Sequence, residues 1–124
     1  MAKVLGVGGI FFKAKDPKAL LAWYQTHLGM PAASPYFAKL MPASMPAGAC
    51  TAFTPFSADT DHFAPSRNDY MFNLVVDDLD GALQQVVAAG ATLAGEPQSH
   101  DFGRFGWFLD PDGNKVELWQ LPAA

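Results

Sequence analysis

Few residues in this sequence can staple or charge a protein. Cys50 is the one cysteine in 124 residues, so no disulfide can close within the chain, and the default compartment is a reducing, cytoplasmic one. Eight Lys and Arg stand against twelve Asp and Glu, and the cations are scattered along the chain. That argues against nucleic acid as a partner, because neutralising phosphates takes clustered cations. No run approaches the roughly 20 uninterrupted apolar residues of a membrane span, so no membrane partner is expected. The opening MAKVLGVGGIFFKAKD has an apolar stretch that is short, broken by glycine and followed by lysines rather than by a small-residue cleavage site, and it reads as a strand rather than a signal peptide. Gly6-Val7-Gly8-Gly9 lacks the Lys of a phosphate loop and the spacing of a dinucleotide fingerprint. There is no nucleophile elbow, and no histidine lies close to Cys50 in sequence to activate it.

What is present is apolar, at 50% of residues, which is enough to bury one core. It is also repeated. In the first half an apolar strand, Ile10 to Ala14, leads to Asp16-Pro17, where Asp can cap free amides and Pro suits the first helical position. Pro17, Leu20, Leu21, Tyr24 and Leu28 follow at helical spacing, and Gly29 ends the helix. In the second half Met71 to Val76 leads to Asp78, then to Leu79, Ala82, Leu83, Val86 and Val87 on one helical face, then to Gly90. Pro46-Ala47-Gly48 and Pro111-Asp112-Gly113 each precede a closing strand, ACTAFTP and NKVELWQ. With GRFGWFL before it, the second turn predicts a β-hairpin. The grammar predicts one domain over residues 1–124: module one over 1–56, a polar linker over 57–69 and module two over 70–124. Between Pro31 and Pro46 two short strands and a loop are expected, with no legible boundaries. A ferredoxin-like sandwich also fits a strand, helix, strand repeat, but the hairpin before the C-terminus favours three strands after each helix.

Strand alternation assigns faces. Ile10, Phe12 and Ala14, then Phe72, Leu74 and Val76, then Val116 and Leu118 form apolar sets to pack beneath the helices. The opposite face carries Gly9, Phe11 and Lys13; Met71, Asn73 and Val75; and Lys115, Glu117 and Trp119. An even hairpin turn adds Phe108, Gly106 and Arg104 to that second face and puts Trp107 on the helix side; an odd turn reverses all four. Aromatic rings mixed with a few polar groups on a concave face are what ligand sites look like, although a solvated or dimer-buried face has the same composition.

The segments GGIFFKAKDPKALLAWYQTHLGM, FNLVVDDLDGALQQVVAAGA and FGRFGWFLDPDGNKVELW together resemble the vicinal oxygen chelate superfamily, which includes glyoxalases, bleomycin resistance proteins and extradiol dioxygenases. The resemblance spans nearly the whole chain and is most specific at DPDGN and VEL. It implies an α+β fold of two tandem βαβββ modules, a cupped mixed sheet or half-barrel with helices on its outer face, and commonly a homodimer. Metalloenzymes of the superfamily place a His or Gln at the start of each module and a Glu in each last strand. Those positions fall here on Gly9, Met71, Ala52 (or Phe53 after a one-residue slip) and Glu117. Glu117 alone retains a ligand type. No cofactor is therefore expected, because a divalent ion needs several N and O ligands and one carboxylate holds it weakly.

The remaining histidines offer little rescue. His27 sits where a cation suits a helix end, His62 lies in a loose cluster with Asp59 and Asp61 that reads as a solvated turn, and His100 with Asp101 lies near the rim. The leading expectation is a cytoplasmic, homodimeric, bleomycin-resistance-like protein that binds a small organic molecule through Phe11, Lys13, Asn73, Arg104, Phe108, Glu117 and Trp119. Superfamily members that sequester antibiotics do so without metal, enclosing the ligand between subunits. Two alternatives stand beside it. One is a lyase, isomerase or dioxygenase in which Glu117 is catalytic, as metal ligand or general base; the other is an interaction module without ligand.

Overall fold

The computed structural model describes residues 1–123, so Ala124, the last residue of the range expected for module two, lies outside it. Both helices begin where their caps stand. Helix α1 (Pro17–Leu28) starts on Asp16, whose carboxylate accepts the Ala19 amide at 3.1 Å, and ends on Gly29 at φ 62°, a left-handed cap that glycine adopts without steric cost. Two short strands, β1 (Ala32–Ser34) and β2 (Phe37–Ala38), form a hairpin, and a single 3-10 turn covers Pro42–Ser44. Strand β3 (Phe72–Val75) leads to α2 (Leu79–Ala88), capped by Asp78 on the Gly81 amide at 3.1 Å.

Four strands follow or close the second half: β4 (Thr92–Leu93), β5 (Gln98–His100), β6 (Gly103–Leu109) and β7 (Lys115–Gln120). Strands β4 and β5 are two stretches of one bent edge, both antiparallel to β6. Strand β6 pairs antiparallel with β7, and β7 pairs parallel with β3. The fold is α+β: an open mixed sheet in the order β3-β7-β6-β4, with the helices on one face. Residues 72–120 thus make one complete βαβββ unit.

The core lies between that sheet face and the helices. Leu20 and Tyr24 of α1 and Leu79, Ala82, Leu83 and Val86 of α2 pack with Phe108, Val116 and Leu118. Phe72, Leu74, Val76 and Ala14 lie against them as their alternation predicts. Val87, expected on the buried face of α2, is 50% exposed. The expected strands Ile10 to Ala14 and ACTAFTP have no ladder partner among the described residues. Between Pro31 and Pro46, where four prolines withhold amide donors, the β1-β2 hairpin is the one ladder among the described residues.

Candidate functional site

Hairpin parity decides which side chains share the sheet face opposite the helices, where Phe105, Trp107 and Lys115 are buried. Leu109 faces Lys115 across five intervening residues, an odd turn, so Trp107 pairs with Glu117, Phe105 with Trp119 and Phe108 with Val116. The DPDGN turn needs all five, because Asp110 folds back on it. Its Oδ1 accepts the amides of Asp112 at 2.9 Å and Asn114 at 3.0 Å. Its Oδ2 accepts Asn114 Nδ2 and the Tyr24 hydroxyl, both at 2.8 Å. Burial, and secondarily the Asp110 charge, push the Tyr24 hydroxyl pKa far above its ordinary value.

The even-turn arrangement is therefore corrected. Phe108 lies in the core with no exposure. Arg104 points to the α2 side, where its guanidinium donates two hydrogen bonds to Asp80, at 3.0 and 3.2 Å. That pairing, first through the hydrogen bonds and then through charge, holds the Asp80 carboxyl below the usual carboxylate range. Phe11 is 95% exposed on the N-terminal segment, which has no ladder partner among the described residues, and Lys13 on the same segment lines a cavity with Tyr70 and Asn114 rather than joining Glu117. Of the expected set, the sheet brings together Asn73, Glu117 and Trp119, and the corrected parity adds Phe105 and Trp107.

Glu117 is the centre of this face. Its Oε1 accepts Asn73 Nδ2 at 2.7 Å across the parallel pair, and its Oε2 accepts Trp107 Nε1 at 2.8 Å across the antiparallel one. The carboxylate is thus oriented by donors on both flanking strands. Phe105 and Trp119 stack at 5.8 Å beside it, and Trp119 Nε1 donates to the Phe102 carbonyl at 2.9 Å.

The linker lies over this floor, which sequence reasoning missed. His62 Nε2 stands 3.9 Å from Glu117 Oε2, its ring edge-on to Trp107 at 6.4 Å and stacked on Phe56 at 5.5 Å. Lys115, itself buried, donates from Nζ to the His62 carbonyl at 2.6 Å. Burial lowers the Lys115 pKa, partly offset by the Glu117 and Asp61 carboxylates. Asn68 and Tyr70 tie the far end of the linker to Asn114 Oδ1, at 2.7 and 3.0 Å. Nothing in local sequence announces the His62 contacts with Trp107 and Glu117, which come 45 and 55 residues later. A cavity of about 450 Å³ lies within the linker itself, lined from Ser57 to Asp69. A second, of about 320 Å³, lies between Lys13, Lys15, Tyr70 and Asn114. His100 stacks on Phe102 at the rim, at 5.2 Å, and His27 lies against Trp23.

The paired-strand frame, the DPDGN turn and the Glu of the closing strand converge with a family comparison: a glyoxalase-like domain model matches residues 9–119. The chain belongs to the glyoxalase-like domain family. With it comes membership of the vicinal oxygen chelate superfamily. This glyoxalase-like chain is similar to a glyoxalase-related enzyme from Fulvimarina pelagi, with 18% identity over 96% of this chain and 90% of that one, at a TM-score of 0.60. It is similar also to a member of the glyoxalase/bleomycin resistance protein/dioxygenase superfamily from Sphaerobacter thermophilus, with 26% identity, 86% and 90% coverage, and a TM-score of 0.51. A match to TnmS3, an antibiotic binding protein from Streptomyces, has 31% identity but covers 44% of this chain and 45% of that one, at a TM-score of 0.39. The chain spans less than half the length of that protein and of three further solved structures. A comparison with curated proteins finds no match.

Proposed function

We propose that this glyoxalase-like chain binds a small organic molecule on the cup face, over Phe105, Trp107 and Trp119, with Glu117 and Asn73 as its polar contacts. The observation that carries the reading is the state of Glu117: a carboxylate oriented by two N–H donors on an aromatic floor, with lone pairs left to accept from a ligand.

The residues present do not fit the divalent ion that the family implies. Gly9, Met71 and Ala52 offer no hard donor, and no group of three His, Cys, Asp or Glu side chains assembles among the described residues. Binding without a resident metal is therefore part of the proposal, and no step is routed through one.

The proposal extends to a cytoplasmic homodimer built on modules 1–56 and 70–124 joined by the 57–69 linker. Among the described residues no helix is long and apolar enough to cross a membrane. Val4, Leu5, Ile10, Phe11 and Phe53 are exposed on the two unpaired segments of module one, an apolar surface that a second copy would cover. The test is a panel of small organic molecules added to chelator-treated protein. At least one should raise the melting temperature in wild type and not in Glu117→Ala, and a panel with no such compound contradicts the reading.

A further inference from the structure

His62 occupies the cup as a ligand would. Its ring lies flat on Phe56, with 4° between the planes, and edge-on to Trp107 at 87°, and its Nε2 points to the one carboxylate of the floor. The ring is not part of the packed core, since its side chain is 41% exposed while that of Glu117 is 16% exposed. Nor does it satisfy the carboxylate. At 3.9 Å the Nε2 to Oε2 separation is beyond hydrogen-bond range, and the Glu117 oxygens take their bonds from Asn73 and Trp107 instead. The His62 carbonyl accepts Lys115 Nζ at 2.6 Å and the ring stacks on Phe56, contacts that leave the imidazole beside the carboxylate and not bonded to it.

We propose that the cup takes a flat nitrogen heterocycle whose ring N–H donates to Glu117, and that His62 is its intramolecular stand-in, displaced when the ligand enters. The inference rests on the small-molecule reading above and names the ligand class for the same site. The aromatic walls supply stacking and edge contacts that any planar ring accepts, and the carboxylate selects rings that carry an N–H. An internal occupant reduces apparent affinity by the fraction of time it holds the site, so removing it should strengthen binding.

The test uses imidazole and benzimidazole as probes, read on the full chain by the Trp107 indole N–H resonance, which the Glu117 bond holds in place. His62→Gly should bind both probes about tenfold more tightly than wild type, because the competing ring is gone. Adding Glu117→Gln to His62→Gly should weaken them again by about tenfold, because the charge-assisted bond is lost. Equal affinity of wild type and His62→Gly overturns the proposal, as does no binding to His62→Gly. A measurement on wild type alone covers the case of a variant that folds poorly: saturating benzimidazole should move the His62 ring resonances together with the Trp107 signal. Movement of Trp107 with His62 unchanged places the probe elsewhere and overturns the proposal. Failure of both heterocycles alongside an organic compound that needs Glu117 leaves the broader binding reading standing; failure of the whole panel removes both.

Discussion

Phe108 and Trp107 are adjacent buried residues on opposite faces of the sheet, and the odd turn between β6 and β7 decides which face each takes. Phe108 has no exposure and stacks on Trp23 at 5.8 Å. Phe108→Ala should cost about 3–5 kcal/mol in chemical denaturation, as expected for truncating a core aromatic, and should not act through a ligand. A loss under about 1 kcal/mol would contradict its core placement. Gly103 is constrained by geometry of another kind. At φ 133° a Cβ there would stand 2.4 Å from the Gln120 carbonyl and 2.5 Å from Trp119 Nε1. Gly103→Ala should therefore lower the melting temperature and disturb Trp119 fluorescence; an unchanged melting temperature would contradict the close approach. Tyr24 carries a pH dependence. Its folded pKa is raised above the ordinary value of about 10, so its contribution to stability is complete below pH 10 and is lost as pH rises above that value. The decline in stability above pH 10 should be shallower in Tyr24→Phe than in wild type, and identical slopes would contradict the assignment.

At the scale of elements, what was legible in sequence was local. Asp16 and Asp78 cap their helices because capping needs only the next three residues, and the 3.6-residue spacing of Leu79, Ala82, Leu83 and Val86 marks the buried face of α2. The DPDGN hairpin was equally plain, but its parity was not. Parity depends on where the ladder stops, and that is set by Asp110 bonding back across the turn to Asn114, a contact composition does not encode. Arg104 and Phe108 changed faces for this reason alone. His62 was illegible for a different one: a polar linker has no periodicity to read, and its place over Glu117 follows from tertiary anchors at Lys115 and Asn114. Asn114→Ala would strand the Asn68 amide and the Tyr70 hydroxyl and remove a buried bond to Asp110. It should cost about 1–3 kcal/mol, and amide exchange should quicken across residues 57–69 more than across α2. Uniform change across the chain would show that the linker is held otherwise.

At the scale of the whole molecule the two halves are unequal. The second forms a complete βαβββ sheet, whereas the first leaves Ile10, Phe11 and Phe53 exposed on segments that have no ladder partner among the described residues. On the homodimer proposal these residues are interface. Phe11→Asp should shift the mass found by analytical ultracentrifugation from dimer to monomer, and a wild type that is monomeric at micromolar concentration would contradict it. On the proposed function Glu117 faces an organic ligand and not a metal ion. The most direct test is the Trp107 indole N–H resonance of chelator-treated protein during titration with small organic molecules, in wild type and in Glu117→Gln. At least one compound should move this resonance in wild type with chelator present and fail to do so in Glu117→Gln. A resonance that moves only after a divalent ion is restored would contradict the account and return Glu117 to metal chemistry.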